Sequence, residues 1–481
     1  MVTLKTNETR QGRSIDTKAA RNLAITTNTV PQMAGITPRW LLHFLPWVQV
    51  QSGTYRVNRT KVVLKPTPKV RVINNNGHSS ISPEELRTIP ILSVLDPSDA
   101  AAIANRFQSE AFDIDQTIIQ QGQPGEKFYI VVQGKLEVST SGDEGENLRI
   151  AVLGAGDYFG AVGLAPEVIS NSTIRTITPC RLLALSKPAL DEILTQSPEI
   201  RPTLQKALEE QTRLKSVVNL YGEEKIPVAS DYQGEIELPA SYIDYEIEPR
   251  EYDLSLVQNI LRVHTHVTDI YNEPIDQLRE QIRLTVENLK ERQEWEIINN
   301  PNFGLLNSIS PLMRVQPRYD VPTPDDLDEL LTRVWKKPSF FLAHPRAIAA
   351  FGRECTRRGV PPVSINLFGS PFLTWRGVPL VPCDKLEVKS YNGNQQGPGK
   401  TSILLVRVGE KEQGVVGLHK IGIPGEQLPS LSVRFMGIDS QSLASYLLTL
   451  YFSCAVLTDD AVAVLENVEV GYYHEYEYAR V

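Results

Sequence analysis

Apolar and polar positions follow two rhythms along this chain, and the change from one to the other marks a boundary. From Asp113 to Leu185 short apolar runs alternate with glycine-bearing turns, which predicts a series of short strands. Leu86–Leu95 opens that region as an amphipathic helix, and Lys187–Lys215 closes it with helical spacing. The flanks, Thr29–Arg59 and the chain from Ile226 onward, share neither the rhythm nor the turns. The pattern predicts a self-contained module at 83–217 set into a surface loop of a host, since loop tips tolerate added domains.

The host has its own elements. Residues 1–28 read as a mobile polar segment and 29–59 as an N-terminal arm. Within the arm, Thr37 caps a helix that Pro38 starts, and Trp40, Leu41, Phe44 and Trp47 form an apolar load that needs a partner surface, either on the chain's own body or on another subunit. Gly53–Val72 alternates as extended chain, followed by a turn at Asn74–Gly77, so that 60–82 and 218–252 become the two halves of an extended loop. The region 253–481 holds the rest of the host. Asp276–Asn299 predicts a long helix of about 36 Å, with Leu278, Ile282, Val286, Leu289 and Ile297 on one stripe. Its charged face carries Glu287, Lys290, Glu291, Arg292 and Glu294. Thr323–Trp335 and Pro345–Arg358 predict two further helices. Strands are expected at Phe372–Val381, Thr401–Val408, Val415–Leu418, Ser430–Gly437 and Ala461–Val470, with a helix at Asp439–Ser453. The host is α+β.

Composition narrows the function. The chain has 481 residues, 41% of them hydrophobic, and a net charge of −8, which argues against a nucleic-acid partner. The longest apolar run, Tyr446–Leu457, is too short for a membrane span, and the first residues lack the apolar core of a signal peptide. Cys180, Cys355, Cys383 and Cys454 form no CxxC pair and read as small buried hydrophobes in a reducing, cytoplasmic compartment.

Three stretches carry the character of the module: Ile118–Val138 with its Gln-Pro-Gly-Glu turn, the Leu153–Gly160 corner, and Thr176–Leu185. Together they resemble the cyclic-nucleotide-binding domain of catabolite activators and cyclic-nucleotide-dependent kinases, a small β-barrel. In that family a Glu after the Phe-Gly corner binds the ribose and an Arg in the next loop binds the cyclic phosphate. Here the resemblance places Ala161 and Ser170 at those two positions. Phe159, Gly160, Ala161, Gly163, Leu164, Ser170, Asn171, Ser172 and Thr173 would line the pocket, and Arg175 comes too late, inside a strand. A phosphate buried without a cation is costly. No cofactor is therefore assigned, and cyclic nucleotide binding is doubtful. A basic recognition helix does not follow, so a transcription factor is not expected.

The host segments Thr29–Gln32, Ile36–His43, Tyr55–Arg59, Gln281–Thr285, Lys290–Glu294, Thr323–Asp328, Trp335–Leu342, Phe351–Glu354, Gly377–Leu380 and Leu457–Ala461 resemble encapsulin shell proteins of the second family, in the subtype with an inserted cyclic-nucleotide-binding-like domain. The resemblance implies a tailed-phage capsid-like (Hong Kong 97-type) protomer. It also implies a closed icosahedral shell of on the order of sixty identical subunits. That shell would enclose a cargo enzyme, a terpene cyclase or a polyprenyl-diphosphate-processing enzyme such as a polyprenyl transferase. Trp40, Leu41, Phe44, Trp47, Tyr55 and Arg56 are the expected assembly contacts. The inserted barrel would sit outside, and loops near Asn366–Pro371 and Gly422–Glu426 are pore candidates of an axial domain.

Other clusters carry bland readings. His264 and His266 point to opposite sides, so no metal is assigned. The acidic start of Thr323–Trp335 fits helix capping, Asp459-Asp460 fits a cap or an intersubunit contact, and Gly393–Gly399 lacks the Lys-Ser/Thr of a phosphate loop. A nucleophile with a base does not emerge, so an enzyme is not expected. The alternative is a soluble cyclic-nucleotide-responsive sensor protein or enzyme.

Overall fold

A computed structural model describes residues 15–25, 27–63, 70, 72–75, 78–89, 92–93, 95–141, 147–160, 169–170, 172–189, 192, 217–219, 222–229, 238–390 and 399–471. The chain divides into two units, each assembled from three separate stretches. Each is described by itself.

The first unit takes 1–57, 250–308 and 407–458. Its long helix, Gln277–Asn299, starts where the Asp276 carboxylate accepts from the Arg279 N–H and ends ahead of Pro301. Val286, Leu289 and Ile297 are buried, while Leu278 and Ile282 are half-buried. The expected helix at Asp439–Ser453 is instead the fourteen-residue strand Leu443–Val456, the centre of a sheet. It pairs with Ser255–His264, Val415–His419 and Leu431–Ile438. A continuous apolar run does not distinguish a buried strand from a buried helix by period, and the aromatic and β-branched residues Tyr446, Thr449, Tyr451, Phe452 and Val456 favour the strand. Asp439 closes the turn before it, accepting from the Gln441 and Leu443 N–H groups.

The second unit takes 58–249, 309–406 and 459–481. One part is a sheet ordered Arg314–Val315, Val462–Glu469, Gly399–Val406, Phe340–Ala343, Val378–Pro382, Ser370–Trp375, Val363–Leu367. Helices Pro324–Arg333 and Pro345–Arg357 pack on it. The single strand expected at Phe372–Val381 is a hairpin, because Arg376 and Gly377 both take positive φ, as a tight two-residue turn requires. The acidic helix start is a capping box: Thr323 Oγ accepts from the Asp326 N–H, and the Asp326 carboxylate accepts from the Thr323 N–H. Asp459 and Asp460 hold partners within the chain, Arg59 at 3.5 Å and Lys336 at 2.8 Å.

The other part is the inserted barrel, two four-stranded sheets face to face. One runs Tyr158–Phe159, Lys127–Gln133, Cys180–Ser186, Gln108–Phe112; the other runs Thr117–Ile119, Thr173–Thr176, Leu136–Ser141, Asn147–Leu153. Strand alternation fills two cores. Tyr129 and Val131 point between the sheets with Phe159, Ile174 and Leu182. Phe128, Ile130 and Val132 point outward under Leu86, Ile89, Leu92 and Ile103. Among the described residues the continuous helix expected at Leu86–Leu95 does not form: Pro83–Leu86 is one short helix and Pro97–Ala104 another, and the described residues between them are turns and bends. Val70 and Ile81 belong to the outer core, so the module's packing begins ahead of residue 83. Of the turn expected at 74–77, Asn74 and Asn75 belong to the strand Val72–Asn75, which pairs with His78–Ile81, and residues 76–77 lie outside the described residues. The closing helix keeps Lys187–Ala189 among the described residues, and most of Lys187–Lys215 lies outside them.

All four cysteines are buried and free, as small hydrophobes would be. Among the described residues no helix is long and apolar enough to cross a membrane.

Candidate functional site

Two places carry the expected function: the glycine corner of the barrel and the arm in the first unit.

At the barrel corner, the Phe159 ring stacks on Tyr129, with centroids 5.0 Å apart and planes 23° off parallel. Burial, then Glu110, pushes the Tyr129 phenol up to about 12. Gly160 has φ +80°, and a Cβ there would lie 2.5 Å from the Lys127 carbonyl oxygen. The Phe-Gly pair is therefore explained by packing and backbone approach alone. Ser170 is tied by its backbone, accepting from the Gly122 N–H at 2.8 Å and donating to Gln123 at 2.9 Å. The Thr173 hydroxyl accepts from the Gln121 N–H at 3.1 Å, and Ser172 is half-buried beside it. Ala161, Gly163, Leu164 and Asn171 lie outside the described residues.

The chemistry of a cyclic phosphate does not fit the nearest arginine. In Thr173–Thr176, Ile174 and Thr176 are buried and Arg175 is exposed. Arg175 faces away from the sandwich and pairs with Asp115 at 3.2 Å. Lys127 is likewise engaged, with Glu110 at 2.7 Å.

The arm tells a different story from the one expected. Thr37 is not a helix cap. The helix is Trp40–Phe44, its cap position is Arg39 at φ +49°, and no side chain bonds the cap. Thr37 instead donates its N–H to Glu291 Oε1 at 2.6 Å and its hydroxyl to Oε2 at 3.0 Å. Arg39 reaches the same carboxylate at 2.9 Å and also pairs with Glu287. Leu41 donates its N–H to Glu294 at 3.2 Å. The charged face of the long helix is thus partly a seat, with Glu291 and Glu294 buried beneath the arm. The spacing 287, 291, 294, 298 is a stripe that continues to buried Ile298, and it was the available signal.

Past the helix, Trp47–Gln49 runs parallel to Val415–His419. Trp47 stacks on His419 (5.8 Å, 24°) and lies over Gly417, where a Cβ would come within 2.7 Å of its ring. Leu41 is fully buried in the chain itself, so the expectation that it contacts a neighbour is corrected. Trp47 likewise spends its face on the same chain, and Trp40 and Phe44 are half-buried. Tyr55 donates to Glu410 at 3.0 Å, and burial followed by that carboxylate pushes it up to about 12. Arg56 is exposed and paired with Glu251 at 2.6 Å. Asn366–Pro371 is a hairpin turn of the second unit, whereas Gly422–Glu426 belongs to the first, so the pore candidates do not share one domain.

Comparison with known proteins covers both parts. A family model described as type 2A encapsulin shell protein, SrpI-like, matches residues 211–472, and a cyclic nucleotide-binding domain model matches 109–197. The chain is similar to the type 2A encapsulin shell protein SrpI of Synechococcus elongatus. The two are 59% identical over 254 residues, 53% of this chain and 80% of that protein. A type 2A encapsulin shell protein of Mycobacterium avium is 46% identical over 322 residues, 65% of this chain and 96% of that protein. The cryo-EM structure of the holo-SrpI encapsulin complex from Synechococcus elongatus aligns with a TM-score of 0.54 at 37% identity, covering 97% of this chain and 100% of that one.

Proposed function

The chain belongs to the type 2A encapsulin shell protein family and carries a cyclic nucleotide-binding domain within it, and from that premise we propose that it builds a closed icosahedral compartment from copies of itself. The compartment holds on the order of sixty subunits. It stands in the cytoplasm, displays the barrel on its outer face and encloses an enzyme rather than being one. The cargo class is a terpene cyclase or a polyprenyl-diphosphate-processing enzyme, on the resemblance to the subtype with this insertion.

One observation carries the reading. The second half of the extended loop exposes Val228 (80%), Leu238 (66%), Tyr242 (90%), Tyr245 (68%) and Ile247 (90%). Large apolar side chains gathered on one extended segment mark an interaction site, and a segment left free would promote aggregation. The facing half pairs with it: Lys61 donates to the Asp244 carbonyl at 2.9 Å and Glu246 to that of Arg59 at 3.0 Å. The ribbon is held in shape while its apolar side chains remain uncovered. A neighbouring subunit is the cover that a closed shell supplies.

Tyr242→Asp combined with Ile247→Asp tests this. The variant should keep the far-UV circular dichroism of the parent and sediment as small oligomers. Full-size particles from that variant would contradict the reading. A terpene cyclase co-expressed with the parent chain should sediment with the particles; a cyclase left in the supernatant would contradict the cargo class.

A further inference from the structure

The Lys135 side chain sits in the turn between barrel strands Lys127–Gln133 and Leu136–Ser141, yet only 10% of it is exposed. A turn lysine is ordinarily solvated. This one lies 3.6 Å from the carboxylate of Asp320, in the segment that leads from the strand Arg314–Val315 to the capped helix. Asp320 also faces Lys400, at 3.7 Å, on the strand Gly399–Val406. Its backbone is left-handed, φ +41°, and its carbonyl accepts from the Glu469 N–H at 2.7 Å. The carboxylate therefore sits between one ammonium of the barrel and one of the sheet.

A second contact lies at the same end of the barrel. Gly154 leaves so little room that a Cβ there would stand 2.4 Å from Gln316 Cγ. Gln316 is buried and clamped, donating to Glu466 at 2.9 Å and accepting from Asn467 at 3.1 Å. Gly154 is clamped from its own side: its N–H donates to the Asp157 carboxylate at 2.8 Å, and the Val131 N–H donates to the Asp157 carbonyl at 2.8 Å. The Phe159-Gly160 corner follows within the same short segment. Two turns of the barrel thus meet two residues of one segment, and that segment is bonded to the strand Val462–Glu469.

We propose that the inserted barrel is docked on the sheet domain of its own chain, through Gly154 and Lys135 against Gln316 and Asp320, rather than swinging on its linkers. The contact needs no ligand. It places the glycine corner one short turn from the sheet, so a molecule that reshaped residues 154–160 would press on Gln316. The inference is separate from shell closure, because both sides of the contact lie in one chain.

A cysteine pair tests it. A Cβ at Gly154 would lie 3.3 Å from the Gln316 Cβ, close to the separation of about 3.5–4.5 Å that a disulfide spans. Gly154→Cys with Gln316→Cys should form an intrachain disulfide under mild oxidation, found by non-reducing peptide mapping and absent from either single variant. Free thiols in a folded protein, or a bridge joining two chains, would overturn the proposal. A charge exchange gives a second readout that needs no new covalent bond. Lys135→Glu should speed hydrogen exchange at 154–160 and 314–320 by roughly tenfold, and adding Asp320→Lys should restore protection. Unchanged exchange in the single variant, or no recovery in the double, would overturn it.

Discussion

Thr37 and Glu291 stand 254 positions apart in the chain, and the Thr37 N–H donates to the Glu291 carboxylate at 2.6 Å. The hydroxyl of the same threonine and the guanidinium of Arg39 converge on that carboxylate too. The arm is seated by charge-assisted hydrogen bonds, with Leu41 pressed into the unit next to them. Removing Glu291 strands these donors. Glu291→Ala should lower the stability of the dissociated subunit by about 2 kcal/mol, and Glu291→Gln, which keeps one acceptor, by less. Urea denaturation followed by tryptophan fluorescence measures both. Equal stability of all three proteins would remove the seat from the account.

Gly417 faces Trp47 so closely that an added methyl would meet the ring at 2.7 Å. Gly417→Ala should cost about 1–3 kcal/mol by overpacking and red-shift the Trp47 emission as the ring is expelled. In a Trp47→Ala background the same substitution should be nearly neutral. That non-additivity, read in a double-mutant cycle, is the signature of direct contact; additive costs would contradict it.

Burial beside Trp47 holds the His419 imidazole below its ordinary value of 6.5, against the pull of Glu426. Arg39, Leu42 and Lys290 line the same cavity, of about 350 Å³. The unfolded chain therefore binds this proton first. The stability contributed by the neutral ring is complete above pH 6.5 and falls as the pH drops from there toward the lowered value. Proteolysis of the arm should accelerate over that range, and His419→Phe, which keeps the stack, should flatten the acceleration. An identical pH profile in the variant would exclude His419 as the source.

Much of this architecture could be read from residue pattern. Asp276 and Asn300-Pro301 delimit the long helix, and Thr323-Pro324 with Asp326 announce the next one, because capping is local chemistry. Glycine corners announced the barrel for the same reason. What escaped is set by partners far along the chain. Leu443–Val456 is a strand because three others pair with it, and Glu291 is a seat because residue 37 returns to it. At the barrel corner the sequence carries a departure, Ala161 and Ser170 where the resembled family has Glu and Arg, and the structure adds that Arg175 lies on the outer face of its strand, paired with Asp115.

That departure is testable by gain of function. Calorimetry with cyclic AMP and cyclic GMP should show no micromolar binding by the parent chain. Ala161→Glu with Ser170→Arg, which restores the two residues of the family's pocket, should bind at least tenfold more tightly, about 1.4 kcal/mol. Micromolar binding by the parent would contradict the reading.

Mass photometry of the purified parent chain at nanomolar concentration tests the central claim most directly. The chain weighs 53.8 kDa. A shell of on the order of sixty copies gives one narrow peak near 3 MDa that survives dilution. Peaks at the mass of one or two chains, with no megadalton species, would contradict it.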